Sequence, residues 1–165
     1  MCEKYSQEKT KQTLCNMIKR FNNALIIFCL LLNFQTLSAQ LGFTFSEVIK
    51  NNGADFTDGK ADGDFKYITY GKKKTTNASG TFEQRTVYYF ADFTSSKELK
   101  CWLIKLISPT TEYANYVRAF NKVYTNIGVD EWKDNETNTI ISVEISNGFC
   151  TVSIVYDGRV DKLYP

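Results

Sequence analysis

The sequence predicts an α+β domain: a single antiparallel sheet of five to six strands with two helices packed on one face, in the order α-β-β-β-α-β-β-β. Three observations predict it. A helix-start signature lies at Thr44–Glu47, and Gly53 follows it as a stop. Apolar residues recur at helical spacing from Tyr113 to Ile127. Segments rich in β-branched and aromatic residues occupy most of the rest and are joined by polar links.

Each element follows in order. In Thr44-Phe45-Ser46-Glu47 the Thr hydroxyl can accept from the Glu47 amide while the Glu side chain reaches back, and Phe43 and Val48 occupy the staple positions. A two-turn helix is expected from Phe45 to Asn52, burying Phe45, Val48 and Ile49. Ala54 to Gly63 reads as a loop of Asp and Gly. Strands are expected at Phe65–Tyr70, Phe82–Phe93 and Leu99–Ile107, with the polar stretch Gly71–Gly80 connecting the first two. The third is apolar on both faces, with Cys101, Leu103 and Ile107 alternating with Trp102, Ile104 and Leu106, as suits a central strand. Ser108-Pro109 reads as a helix start, and Tyr113, Tyr116, Val117, Phe120, Val123, Tyr124 and Ile127 form its apolar stripe, ended by Gly128. Short strands then follow at Glu131–Lys133, Thr139–Ser146 and Phe149–Tyr156, the last two joined by the two-residue turn Asn147-Gly148.

The N-terminal part reads as an export signal. Lys19 and Arg20 precede the apolar run Ala24–Leu32, and Asn33–Gln40 ends in small residues. The expected cut follows Ala39, which makes residues 40–165 a single secreted or periplasmic domain and residues 17–39 the signal peptide. Residues 1–16 read as an over-extended start before Met17. The apolar run is too short to cross a bilayer, a task that takes about 20 residues, so no membrane span is expected after cleavage. A signal ending in Ser38-Ala39-Gln40 before a Tyr- and Phe-rich domain resembles small exported proteins of Bacteroidetes bacteria, and that resemblance implies a compartment rather than an activity. The capped helix ending at Gly53 and leading into aromatic strands resembles, over residues 43–107, the β-lactamase-inhibitor-protein-like fold and the small lipoproteins of outer-membrane assembly; their lipid-bearing Cys is absent here.

Composition excludes several chemistries. The chain carries a net charge of +2, but residues 1–39 hold five of its 20 basic and two of its 18 acidic side chains. The remaining domain is therefore at −1, which removes the electrostatic case for nucleic acid. The chain has no histidine, which excludes Ser-His-Asp and Cys-His catalysis and imidazole-bound zinc. No cofactor is implied.

Four candidate sites stand out. Cys101 and Cys150 are either a disulfide, which export would permit, or two buried thiols. Asp55, Asp58, Asp62 and Asp64 offer oxygen ligands for calcium, although the EF-hand spacing and its terminal Glu are missing and Asp-Gly is also ordinary turn chemistry. Lys72-Lys73-Lys74 reads as a solvated hairpin that discourages edge pairing. Tyr67, Tyr70, Tyr88, Tyr89 and Phe90 lie in successive strands, and because neighbours alternate faces, some of them point away from the helices.

The sequence is read as a non-enzymatic exported binding or interaction module whose partner is an envelope or extracellular protein or glycan. One alternative is a secreted hydrolase built on carboxylates from Asp92, Glu98, Glu83 and Glu144, which needs two of them about 5–9 Å apart. The other is a structural envelope protein.

Overall fold

A computed structural model describes residues 37–61, 65–77, 80–92 and 98–157. Among the described residues the fold is one antiparallel sheet of eight strands with two short helices on one face. The elements are α1 (Phe45–Asn52), β1 (Phe56–Lys60), β2 (Lys66–Asn77), β3 (Gly80–Ala91), β4 (Lys100–Pro109), α2 (Tyr113–Val123), β5 (Thr125–Gly128), β6 (Glu131–Asp134), β7 (Thr139–Ser146) and β8 (Phe149–Tyr156). No described helix is long and apolar enough to cross a membrane.

The expected five to six strands are corrected to eight, in the order α-β-β-β-β-α-β-β-β-β. Within the Asp-Gly segment expected as a loop, Phe56 to Lys60 instead pairs with Tyr70 to Lys66 as an edge strand. The apolar stripe of α2 stops at Val123, because Tyr124 turns extended (φ −106°, ψ 157°) and the chain enters β5. Ser108 and Pro109 end β4 rather than starting a helix, and a 3₁₀ turn, Thr110–Glu112, leads into α2. The polar stretch after Tyr70 continues as strand, with Lys73 opposite Gln84 and Asn77 opposite Gly80. Since β1 pairs only as far as Tyr70 and β4 only as far as Arg85, this part is a two-stranded ribbon extending past the sheet.

The strand order is β1-β2-β3-β4-β8-β7-β6-β5. Each half of the chain is therefore a helix followed by a four-stranded meander, and the two meanders join where β4 pairs with β8. This makes β4 central, as its two apolar faces predict. A register shift between Tyr89 and Phe90 changes which residues share a face: Cys101 lies opposite Phe90 and joins Ile104 and Leu106 in the core, while Leu103 lies opposite Tyr89.

Local chemistry explains the firm elements. Thr44 caps α1 with both halves of the capping box: the Thr44 amide donates to Glu47 Oε2 at 2.8 Å and the Glu47 amide donates to Thr44 Oγ1 at 3.3 Å. These bonds hold the Glu47 carboxyl below its ordinary pKa, the Thr44 amide contributing most. Asn147 and Gly148 both take positive φ, 50° and 79°, as a two-residue hairpin turn requires. The core lies between the sheet and the helices. Val48 from α1, Tyr116 and Phe120 from α2, and Ile68, Tyr88, Phe90, Ile104, Trp132, Ile141 and Ile154 from the strands meet there in one cluster.

The segment before α1 belongs to this body. Leu37 packs on the core and Ser38 is buried. The Gly42 amide donates to Cys101 O at 2.7 Å, and Tyr156 OH donates to Leu41 O at 2.7 Å. A cut after Ala39 thus removes two residues that the fold accommodates.

Candidate functional site

The two faces of the sheet differ in what covers them. Both helices pack on one face, which carries the even-numbered residues of β2 up to Tyr70 and of β3. The opposite face has no described helix over it. The register lays its side chains out in rows. One row crosses all eight strands: Gly59, Tyr67, Tyr89, Leu103, Val155, Ile140, Lys133 and Thr125. The next row reads Thr57, Thr69, Val87, Lys105, Ser153, Ser142, Glu131 and Gly128. An apolar, aromatic row thus lies beside a row of short hydroxyls with one lysine in its middle.

The candidate aromatic residues divide between the faces. Tyr70, Tyr88 and Phe90 belong to the helix-covered core. Tyr88 OH donates to Asn52 Oδ1 at 3.4 Å, and burial raises the pKa of its hydroxyl. Tyr67 and Tyr89 remain on the bare face, half-buried, with ring centroids 5.9 Å apart. Tyr67 extends across β1: a Cβ added at Gly59 would stand 2.6 Å from its hydroxyl oxygen, so only glycine leaves room for the ring. Phe65 and Trp102 form a second pair at 5.6 Å, and Lys105 Nζ sits 5.7 Å from the Tyr89 ring centroid. The Trp102 indole N–H is buried with no partner among the described residues. Val87 and Leu103 are buried on this face yet stand outside the main core cluster.

Sequence reading missed Phe65, Trp102 and Lys105 as neighbours of Tyr67 and Tyr89. Strand alternation alone assigns Trp102 to the face of Ile104, and only the register shift in β4 brings it beside Phe65. No local sequence signal marks that shift.

Where polar groups do gather under α2, they satisfy one another. Ser108 Oγ and Tyr116 OH are 2.9 Å apart, and Gln84 Nε2 donates to Tyr116 OH at 2.9 Å. Burial pushes the Tyr116 hydroxyl up to about 12, which leaves it protonated and unfit as a base at neutral pH. Tyr113 OH donates to both carboxylate oxygens of Asp130, at 2.8 and 2.9 Å.

Of the two readings of the cysteine pair, the structure has the buried thiols. Cys101 and Cys150 are both free and buried. Cys150 lies opposite Ser108, seven residues along β4 from Cys101, which separates them by about 20 Å and places them beyond disulfide reach. Burial pushes their thiols up to about 12 and about 11, so neither is a ready thiolate.

The aspartates do not form a described metal site. Asp55 and Asp58 are exposed, Asp58 within β1, while Asp62 and Asp64 lie outside the described residues. No metal-ligand cluster occurs among the described residues. Lys74 is exposed on the ribbon. Two of the hydrolase candidates stand far apart. Glu83 on β3 and Glu144 on β7 are separated by β4 and β8, or about 14 Å at the usual strand spacing. Asp92 and Glu98 stand next to the paired Ala91 and Lys100, at the other end of β3 from Glu83, and Glu98 lies 3.7 Å from Lys100 Nζ.

No protein-family model, curated protein or solved structure matches the chain.

Proposed function

We propose that the protein is an exported, non-enzymatic binding module that works through the bare face of its sheet. The observation that carries this reading is the aromatic patch of Tyr67, Tyr89, Phe65 and Trp102 on the face the helices leave uncovered. Half-buried rings held by cross-strand neighbours offer contact area at small entropic cost, because they are already ordered before a partner arrives. The separation of Glu83 from Glu144, and the raised pKa values of Tyr116 and both thiols, favour binding over catalysis. Export rests on the charged, apolar and small-residue order of residues 17–39.

The test is affinity capture from an envelope extract, with wild type compared against a Tyr67→Ser/Tyr89→Ser variant of equal melting temperature. Partners retained by wild type and lost by the variant support the reading. An identical set of partners on both proteins contradicts it.

A further inference from the structure

The middle of the bare face holds positive charge that no described group neutralises. Lys105 lies opposite Val87 on one side and Ser153 on the other. Its diagonal neighbours on the adjoining strands are Tyr89, Arg85, Val155 and Thr151, none of them acidic. Arg85 is exposed, lies opposite Ile107, and like Lys105 has no ion-pair partner among the described residues. The nearest carboxylates on this face are Glu83, two residues along β3, and Glu144, on β7 beyond Thr151. By contrast, Lys133 at the end of the aromatic row is paired with Asp157. A partner for the centre of this face therefore brings its own anion.

The surroundings narrow that partner. Tyr67 and Tyr89 supply ring faces on one side of Lys105. Thr57, Thr69, Ser153 and Ser142 supply short hydroxyls in the same row as the lysine. A pyranose ring presents C–H faces that stack on aromatic rings, and its hydroxyls exchange hydrogen bonds with short hydroxyl side chains. A uronate adds a carboxylate to that ring.

We propose that the bare face binds an acidic polysaccharide, with a uronate carboxylate on Lys105 and Arg85 and the sugar ring against Tyr89 and Tyr67. This proposal rests on the binding-module reading and names its ligand class. The charge match at Lys105 and Arg85 carries it; the aromatic pair alone would fit a neutral glycan equally well.

The test is affinity electrophoresis of the protein in gels containing polygalacturonate, dextran or polyglutamate. Polygalacturonate is expected to retard wild type more than either of the others. Lys105→Met with Arg85→Gln is expected to weaken that retardation about ten-fold with the melting temperature unchanged, and Tyr89→Ala about five-fold. Lack of retardation by polygalacturonate overturns the proposal. Equal retardation by polyglutamate overturns it too, because charge alone then suffices. If polygalacturonate fails while the extract capture still depends on Tyr67 and Tyr89, the ligand class is wrong and the binding face stands. If the capture is also indifferent to those tyrosines, both readings fall.

Discussion

The two faces of one sheet are built from alternate residues of the same strands, yet the helices pack on only one of them. On the covered face Tyr88, Phe90, Ile104 and Ile154 meet Val48, Tyr116 and Phe120 from the helices, and every one of them is fully buried. On the bare face the corresponding neighbours are Tyr89, Leu103, Val155 and Lys105, of which Tyr89, Val155 and Lys105 are only half-buried. The first face holds the fold together. The second carries the ring pairs Tyr67–Tyr89 and Phe65–Trp102 with no described helix over them.

That contrast can be tested by substitution. The largest loss is expected from Phe120→Ala, which empties a site between Tyr116, Tyr124 and Trp132; stability should fall by about 3–5 kcal/mol in urea denaturation. Tyr116→Phe removes a hydroxyl shared by Ser108 and Gln84 and should cost about 1–2 kcal/mol on the same measure. Gly59→Ala tests the bare face directly, since its Cβ would stand 2.6 Å from the Tyr67 hydroxyl. It should cost about 1 kcal/mol and displace the Tyr67 ring, seen as lost Tyr67–Tyr89 contacts by NMR. Tyr89→Ala should change stability less than Phe120→Ala while removing partner capture, and a large stability loss with capture intact would erase the distinction between the faces.

The smallest effect concerns pH. Glu47 has a lowered pKa in the folded protein, so its contribution is present above the unfolded pKa and is lost as pH falls through the folded one. Glu47→Gln should therefore flatten the acid limb of the stability curve slightly, measured by thermal melts across that range.

Much of the covered face was legible in the sequence, because its signals are local. The capping box and Gly53 marked the two ends of α1, and Asn147-Gly148 fixed the register of β7 and β8. What escaped was structure without its own apolar pattern. β1 reads Phe-Thr-Asp-Gly-Lys, an edge strand with only Phe56 packed on the core, so nothing in it alternates strongly. The ribbon beyond Tyr70 has no core to face and is written in polar residues. β5 was hidden because Tyr124 and Ile127 continue the spacing of α2 after its backbone has left the helix. The site was half legible: alternation required that the aromatic residues divide between faces, but assigning Tyr67 and Tyr89 to the bare face depends on partners distant in sequence. Trp102 joins them only through a register shift set by tertiary pairing.

The central claim is that the bare face is where the molecule meets its partner. Hydroxyl-radical footprinting of the protein, free and then in envelope extract, tests it most directly. Protection is predicted at Tyr67 and Tyr89, with half-buried Tyr113 and Tyr70 on the helix side unchanged. Protection confined to the helix side, or equal oxidation of Tyr67 and Tyr89 in both conditions, would contradict it.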